Sequence, residues 1–282
     1  MLFAAFCFAV MGAFAKILSE DFSSVEVVFF RNIFGVIFIA FSIYHSPLVQ
    51  KGGKFWLLFL RGFIGFIALL AFFYNIANIP LAKAMTFSKT APIFTAIFAY
   101  IFLKEHISVR GWFAIAIGFV GVLFVINPFG LEIEKTDILG VFSAIGAALA
   151  YTSIRELRKY YDTRAIVFSF MFIGSLGPVI LMVVSDFFYH PAIGFMLGNF
   201  QMPSGIDWVY ILFLGIFATL AQFYMTKAYL ATKAGLVAAA SYMNIIFSII
   251  VGVALGDDFP QMLTIFGICL IILGGVLVAK KG

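Results

Sequence analysis

The side chain best placed to do chemistry is Lys89. It stands inside a long apolar stretch, between Ser88 and Thr90 and shortly before Pro92. Counted from Leu81 it lies about 10 Å deep at 1.5 Å per helical residue, too deep for its ammonium to reach water at that end easily. An ionisable group costs about 2.5–3.5 kcal/mol in such a setting. It therefore calls for an internal charge pair or for a carboxylate or phosphate on a small molecule. Pro92 removes a backbone donor and frees a carbonyl one turn back, near Ser88, for a water or a solute. Arg31 lies at a similar depth in another apolar stretch, and its planar guanidinium suits bidentate carboxylate binding. The competing reading pairs Arg31 with Glu26 or with polar groups on neighbouring helices. Glu26 also has two readings: a salt bridge to Lys16, or a carboxylate that takes up and releases a proton. Arg61, near the start of its stretch, is expected to snorkel to water.

Uncharged polar residues mark where a cavity would lie. They are Tyr74, Asn75 and Asn78, then Tyr151, Thr152 and Ser153, then Gln222 and Tyr224, then Ser241, Tyr242 and Asn244. In hydrocarbon each needs a partner and should face inward, either as glue between helices or as cavity lining. The candidate binding set is Lys89, Ser88, Thr90, Tyr74, Asn75, Tyr151, Gln222, Tyr224, Tyr242, Asn244 and Arg31, with Glu26 as the candidate for proton exchange.

Signals of catalysis are poor. His45, His106 and His190 are far apart, and no H-E-x-x-H, nucleophile elbow or Gly-rich phosphate loop is present. Without a P-loop the chain cannot draw on ATP. Cys7 and Cys269 fall inside apolar runs, where small buried hydrophobes are the expectation, and neither has a ligand partner at metal spacing. No catalytic residue, metal or cofactor is expected.

Composition says what must hold these groups. Of 282 residues, 64% are hydrophobic and only 11% charged, and the mean hydropathy is +1.13. A water-soluble fold of about 25% charged residues could not cover so much apolar surface, so lipid is the solvent. The net charge of +5 then speaks of membrane orientation rather than of nucleic acid. Leu2 to Leu18 has no basic leader and is read as a membrane helix rather than a signal peptide.

Spans of about 20 apolar residues number ten: Leu2 to Leu18, Ser24 to Tyr44, Trp56 to Asn78, Leu81 to Leu103, Gly111 to Ile126, Ile138 to Leu157, Ala165 to Ser185, Trp208 to Tyr229, Ala234 to Leu255, and Met262 to Ala279. The link from Asp186 to Asp207 has room for a short interfacial helix. Placing the N-terminus in the cytoplasm puts Lys51, Lys54, Lys104, Arg110, Arg155, Arg158, Lys159, Arg164, Lys227, Lys233, Lys280 and Lys281 inside. The other links hold Glu20, Asp21, Glu132, Glu134, Lys135, Asp137, Asp186, Asp207, Asp257 and Asp258. This positive-inside asymmetry requires an even helix count and puts both termini in the cytoplasm.

The chain also echoes itself. A shift of 139 residues sets Lys16 against Arg155 and Gly35 against Gly174; a shift of 150 sets Phe73-Tyr74 against Phe223-Tyr224 and Lys83-Ala84 against Lys233-Ala234. Five segments per half make the second half enter from the opposite side, the inverted repeat of a transporter. Gly118, Gly121, Gly267, Gly274 and Gly275 are expected to permit close helix approach.

These features resemble the EamA-like branch of the drug/metabolite transporter superfamily. The resemblance rests on Ala9-Val10-Met11-Gly12-Ala13-Phe14-Ala15-Lys16, Phe29-Phe30-Arg31, Ala82-Lys83-Ala84, Ala91-Pro92-Ile93-Phe94, Leu103-Lys104-Glu105, Gly118-Phe119-Val120-Gly121-Val122 and Gly274-Gly275-Val276. It covers essentially the whole chain. It implies an all-α polytopic membrane protein of ten transmembrane helices, with repeats at 1–130 and 138–281 and a central cavity lined by helices 1, 3, 4, 6, 8 and 9. Tyr242 stands where the second half would repeat Pro92. The function expected is secondary transport of a small amino-acid-like, carboxylated or amphipathic metabolite across a bacterial inner membrane. The partners expected are that solute, the lipid bilayer and a possible second copy, with no nucleic acid. The alternative is a membrane-embedded enzyme of lipid or isoprenoid metabolism, which would want clustered Asp or His; the nearest approach is Asp257-Asp258.

Overall fold

The computed structural model describes residues 1–103, 108–126, 133–188, 190–231 and 240–279, and these are helical with no strand among them. The helices are α1 (Leu2–Leu18), α2 (Ser24–His45), α3 (Phe55–Asn78), α4 (Leu81–Ser88), α5 (Ala91–Leu103), α6 (Val109–Ile126), α7 (Lys135–Leu157), α8 (Thr163–Ser185), α9 (Asp207–Ala231), α10 (Met243–Ala254) and α11 (Met262–Ala279). A short 3₁₀ turn at Pro191–Met196 occupies the long link, where an interfacial helix was expected. The residues of three sequence features, Lys104-Glu105, Lys233-Ala234 and Lys280-Lys281, lie outside the described residues.

Among the described residues, six stretches are long and apolar enough to cross a membrane: Ser24–His45, Phe55–Asn78, Leu81–Phe102, Lys135–Ile154, Thr163–Ser185 and Asp207–Ala228. Four shorter apolar helices accompany them. Large apolar side chains such as Phe38, Phe41, Phe113 and Leu212 stand exposed on the outside of the bundle. In water that surface would be a liability; in lipid it is ordinary. Cys269 is exposed too, against expectation, because its helix turns that face outward; Cys7 is buried.

Local chemistry sets the helix ends. Ser23 accepts a hydrogen bond from the Glu26 N–H, and Glu26 accepts in return from the Ser23 N–H at 2.9 Å, a capping box that starts α2. Helix α3 stops at Asn78 because Ile79 precedes Pro80 and takes an extended conformation. Helix α10 ends in a Schellman turn: Gly256 has φ +95°, its N–H donates to the Val253 carbonyl, and the Asp257 N–H donates to the Gly252 carbonyl.

The expected helix from Leu81 to Leu103 is in fact two pieces, broken at Lys89-Thr90. The physical reason is Pro92. It has no N–H to continue the ladder, so it sits in the first turn of a fresh helix, where none is needed. A second interruption falls at Tyr242, just ahead of α10.

Two ends of the bundle can be told apart. At the near end, that of Met1, the Lys51 and Gly52 N–H groups donate to the Tyr160 carbonyl, and Arg164 donates to the Ser42 and Ser46 carbonyls. At the far end the Gln201 N–H donates to Glu26. Helices α6 and α11 pack at backbone contact. A Cβ on Gly121 would lie 2.7 Å from the Gly267 carbonyl oxygen, and one on Gly274 would lie 2.7 Å from that of Ala114. The glycine seam expected from sequence is thus a packing device.

Candidate functional site

A cavity of about 750 Å3, including the space at its mouth, lies within the bundle, lined by residues from Phe8 in α1 through to Asn244 in α10. Of the sequence-predicted set, Lys89, Ser88, Tyr151, Gln222, Asn244 and Arg31 line it. Ser88 and Lys89 are neighbours at the end of α4, and the other four come from α2, α7, α9 and α10 and meet them only through the fold.

Lys89 sits at the α4–α5 break, where the backbone leaves the helical ladder and carries its side chain over the ring of Phe8, 5.6 Å from the centroid. Arg31 is held by its neighbour. Its Nη1 donates to Asn32 Oδ1 at 2.6 Å, and Asn32 Nδ2 donates in turn to the Val28 carbonyl at 2.8 Å and the Gly174 carbonyl at 3.1 Å. Asn32 therefore ties α2 to α8 and aims the guanidinium. On α10, Asn244 Nδ2 donates to the Ala5 carbonyl at 2.9 Å, while its Oδ1 has no partner. Gln222 Nε2 is likewise buried without a partner.

Arg61 does not snorkel. It is 2% exposed, lines the cavity, and stacks over Phe170 at 4.4 Å from the ring centroid. The reason lies one turn further along α3. Gly65 has no side chain, so the Phe170 ring fits against the backbone there, 3.0 Å from where a Cβ would stand. That ring offers Arg61 a cation–π face inside the bundle. The signal was present in the sequence: Arg61, Gly65, Ala68 and Phe72 recur at helical spacing, and all four line the cavity.

Other candidates lie elsewhere. Asn75 is buried, donating to the Thr136 carbonyl at 2.8 Å, and joins α3 to α7. Thr90 donates to the Phe87 carbonyl at 2.7 Å and steadies the break. Tyr74 meets Phe195 and carries Lys135 Nζ 5.2 Å from its ring. Tyr224 is 42% exposed, edge-on to Phe3. Tyr242 is buried with its hydroxyl unpartnered, beside the second helix break rather than in the lining.

The expected Lys16–Glu26 bridge is replaced. Lys16 pairs with Asp257, and Asp257 also accepts from the Leu81 N–H at 2.8 Å. Glu26 faces the other way: it is fully buried and accepts from the Ser23 N–H and hydroxyl and from the Gln201 N–H. The S-x-x-E pattern of Ser23 and Glu26 signals that cap in sequence. A second far-end pair joins Lys83 to Asp137 at 2.9 Å. None of these paired residues lines the cavity. No cluster of three or more metal-ligating side chains occurs among the described residues.

The EamA-like transporter family model matches the chain twice, over residues 1–127 and 134–280. A transporter of Helicobacter pylori is 35% identical over 284 residues, covering 99% of this chain and 93% of that protein. The pseudopaline exporter CntI of Pseudomonas aeruginosa is 30% identical, covering 99% and 95%. The S-adenosylmethionine uptake transporter of Rickettsia felis is 25% identical, covering 92% and 83%. A crystal structure superposes with a TM-score of 0.61 at 14% identity, covering 98% of this chain and 95% of that one, a likeness of fold. These relatives are transporters rather than enzymes, and the multi-pass apolar bundle described above is what such a protein requires. With one family model matched twice along nearly its whole length, the chain belongs to the EamA-like transporter family.

Proposed function

We propose that this membrane transporter is a secondary carrier for a small metabolite bearing a negative group, an amino-acid-like or other carboxylated, amphipathic solute, bound in the cavity described above. The observation that carries the reading is the cavity itself. Cationic and amide groups meet there beside two interrupted helices, and broken helices near the midplane are how transporters present backbone and charge to a solute. The lining draws on residues before 130 and after 138 alike, which supports ten spans arranged as two inverted five-helix repeats. Phenylalanine and methionine walls, among them Phe8, Phe72, Met85 and Met225, suit an amphipathic body.

The far-end pairs Lys16–Asp257 and Lys83–Asp137 tie α1, α4 and α7 to the α10 turn. In the carrier reading they hold the cavity closed on that side, and alternating access proceeds by their release. The basic links at the near end support its facing the cytoplasm, with both termini inside and the far end outside a bacterial inner membrane. A small solute, surrounding lipid and a second copy of the chain are the partners of this reading.

Purified protein in liposomes tests the proposal. A carrier shows saturable counterflow of a carboxylated solute. Flux that rises linearly with concentration and shows no counterflow overturns it.

A further inference from the structure

The cavity's charge is one-sided. Among the described residues, Arg31, Arg61 and Lys89 line it, and no aspartate or glutamate does. Arg31 is 1% and Arg61 2% exposed. After its single bond to Asn32, Arg31 keeps Nε unpartnered, and Arg61 leaves both Nε and Nη1 unpartnered. Both guanidiniums lie over the same ring, Phe170, at 5.5 Å and 4.4 Å from its centroid. The sum of those distances puts the two guanidinium carbons within about 10 Å of each other. Two dry, like charges this close repel, and a shared ring face offsets only part of that cost. A purely structural arginine would be expected to face a carboxylate, as Lys16 and Lys83 do. Lys89 comes from the α4–α5 break and lies over a different ring, Phe8, so the positive charge is divided between two rings of the lining.

We infer that these are two anion subsites of one cavity, and that the solute carries two spaced carboxylates rather than the carboxylate and ammonium of an amino acid. The inference rests on the carrier reading and narrows it. The arginine pair takes one carboxylate through forked N–H donors. Lys89 takes the other as a point charge, and the apolar lining covers the body between. Among the described residues of the lining an ammonium would meet no carboxylate, only neutral acceptors such as Asn244 Oδ1.

The test is thermal melting of the purified full-length chain with linear dicarboxylates from succinate to suberate, and with acetate, inorganic phosphate and L-alanine. The best dicarboxylate should raise the melting temperature with an apparent Kd at least tenfold below that of acetate. Arg61→Gln should weaken that dicarboxylate at least tenfold, yet melt without ligand at or above the wild-type temperature, because an uncompensated charge has been removed. Lys89→Gln should bring the dicarboxylate to the level of acetate. Should Arg61→Gln not fold, Arg61→Lys, which keeps the charge but not the fork, is expected to show the same tenfold weakening. Acetate or phosphate binding as tightly as the best dicarboxylate overturns the two-subsite arrangement, and so does unchanged dicarboxylate binding in the arginine variants. Saturable counterflow of L-alanine without dicarboxylate binding sinks this inference and leaves the carrier standing. Dicarboxylate binding without counterflow of any solute does the reverse.

Discussion

The far end and the cavity use charge in opposite ways. At the far end, Lys16 and Lys83 each face an aspartate, and Asp257 takes a backbone N–H besides. In the cavity, Arg31, Arg61 and Lys89 face no carboxylate among the described residues. A charge whose partner is built into the protein holds helices together; a charge left without one is costly in place and calls for a partner that arrives. On the carrier reading, the contrast separates residues that keep the fold from residues proposed to bind, even though both kinds lie in apolar helices.

The comparison can be broken at four places. Asp257→Ala should have the largest effect. It strands Lys16 and leaves the Leu81 N–H without its acceptor, a loss of about 2–4 kcal/mol, visible as a fall in melting temperature of several degrees. An unchanged melting curve would mean that the far-end pair holds nothing. Lys89→Ala should do the opposite, with stability kept or raised while counterflow drops at least tenfold, about 1.4 kcal/mol. Counterflow at the wild-type rate would remove Lys89 from the binding site. Glu26→Gln should cost about 1 kcal/mol of stability through the weakened cap and leave the pH profile of counterflow where it was. A displaced profile would return Glu26 to the role of proton carrier. Tyr224→Phe, on an exposed ring outside the lining, should change counterflow less than twofold.

Much of the architecture was legible because hydropathy is a local sum. Apart from the break at Lys89-Thr90 and the start of α10 at Met243, the described helix ends fall within about three residues of the apolar spans, and Ser23, Pro80 and Gly256 supply stop and start chemistry that acts within one turn. The break at Lys89-Thr90 was only half visible. Pro92 announced a lost donor, but whether a proline bends a helix or restarts it depends on what packs around it. Among the candidate residues, Lys89, Arg31, Tyr151, Gln222 and Asn244 were found by one rule, that polar groups in hydrocarbon face inward. The same rule also collected Asn75 and Thr90, which satisfy themselves on backbone carbonyls, and it cannot separate glue from lining. Arg61 was missed because depth alone suggested a route to water. The glycine that turns it inward acts through Phe170, which is remote in sequence.

By itself the sequence determined an all-helical chain in lipid, the positions of its apolar spans and the presence of charges too deep to ignore, since each follows from neighbours within about twenty residues. Which of those charges are answered was decided only in three dimensions. Lys16 finds its aspartate 241 positions away, while Arg31 and Arg61 are brought to the same ring, that of Phe170. Pairing depends on distance in space, and no periodicity along the chain encodes it.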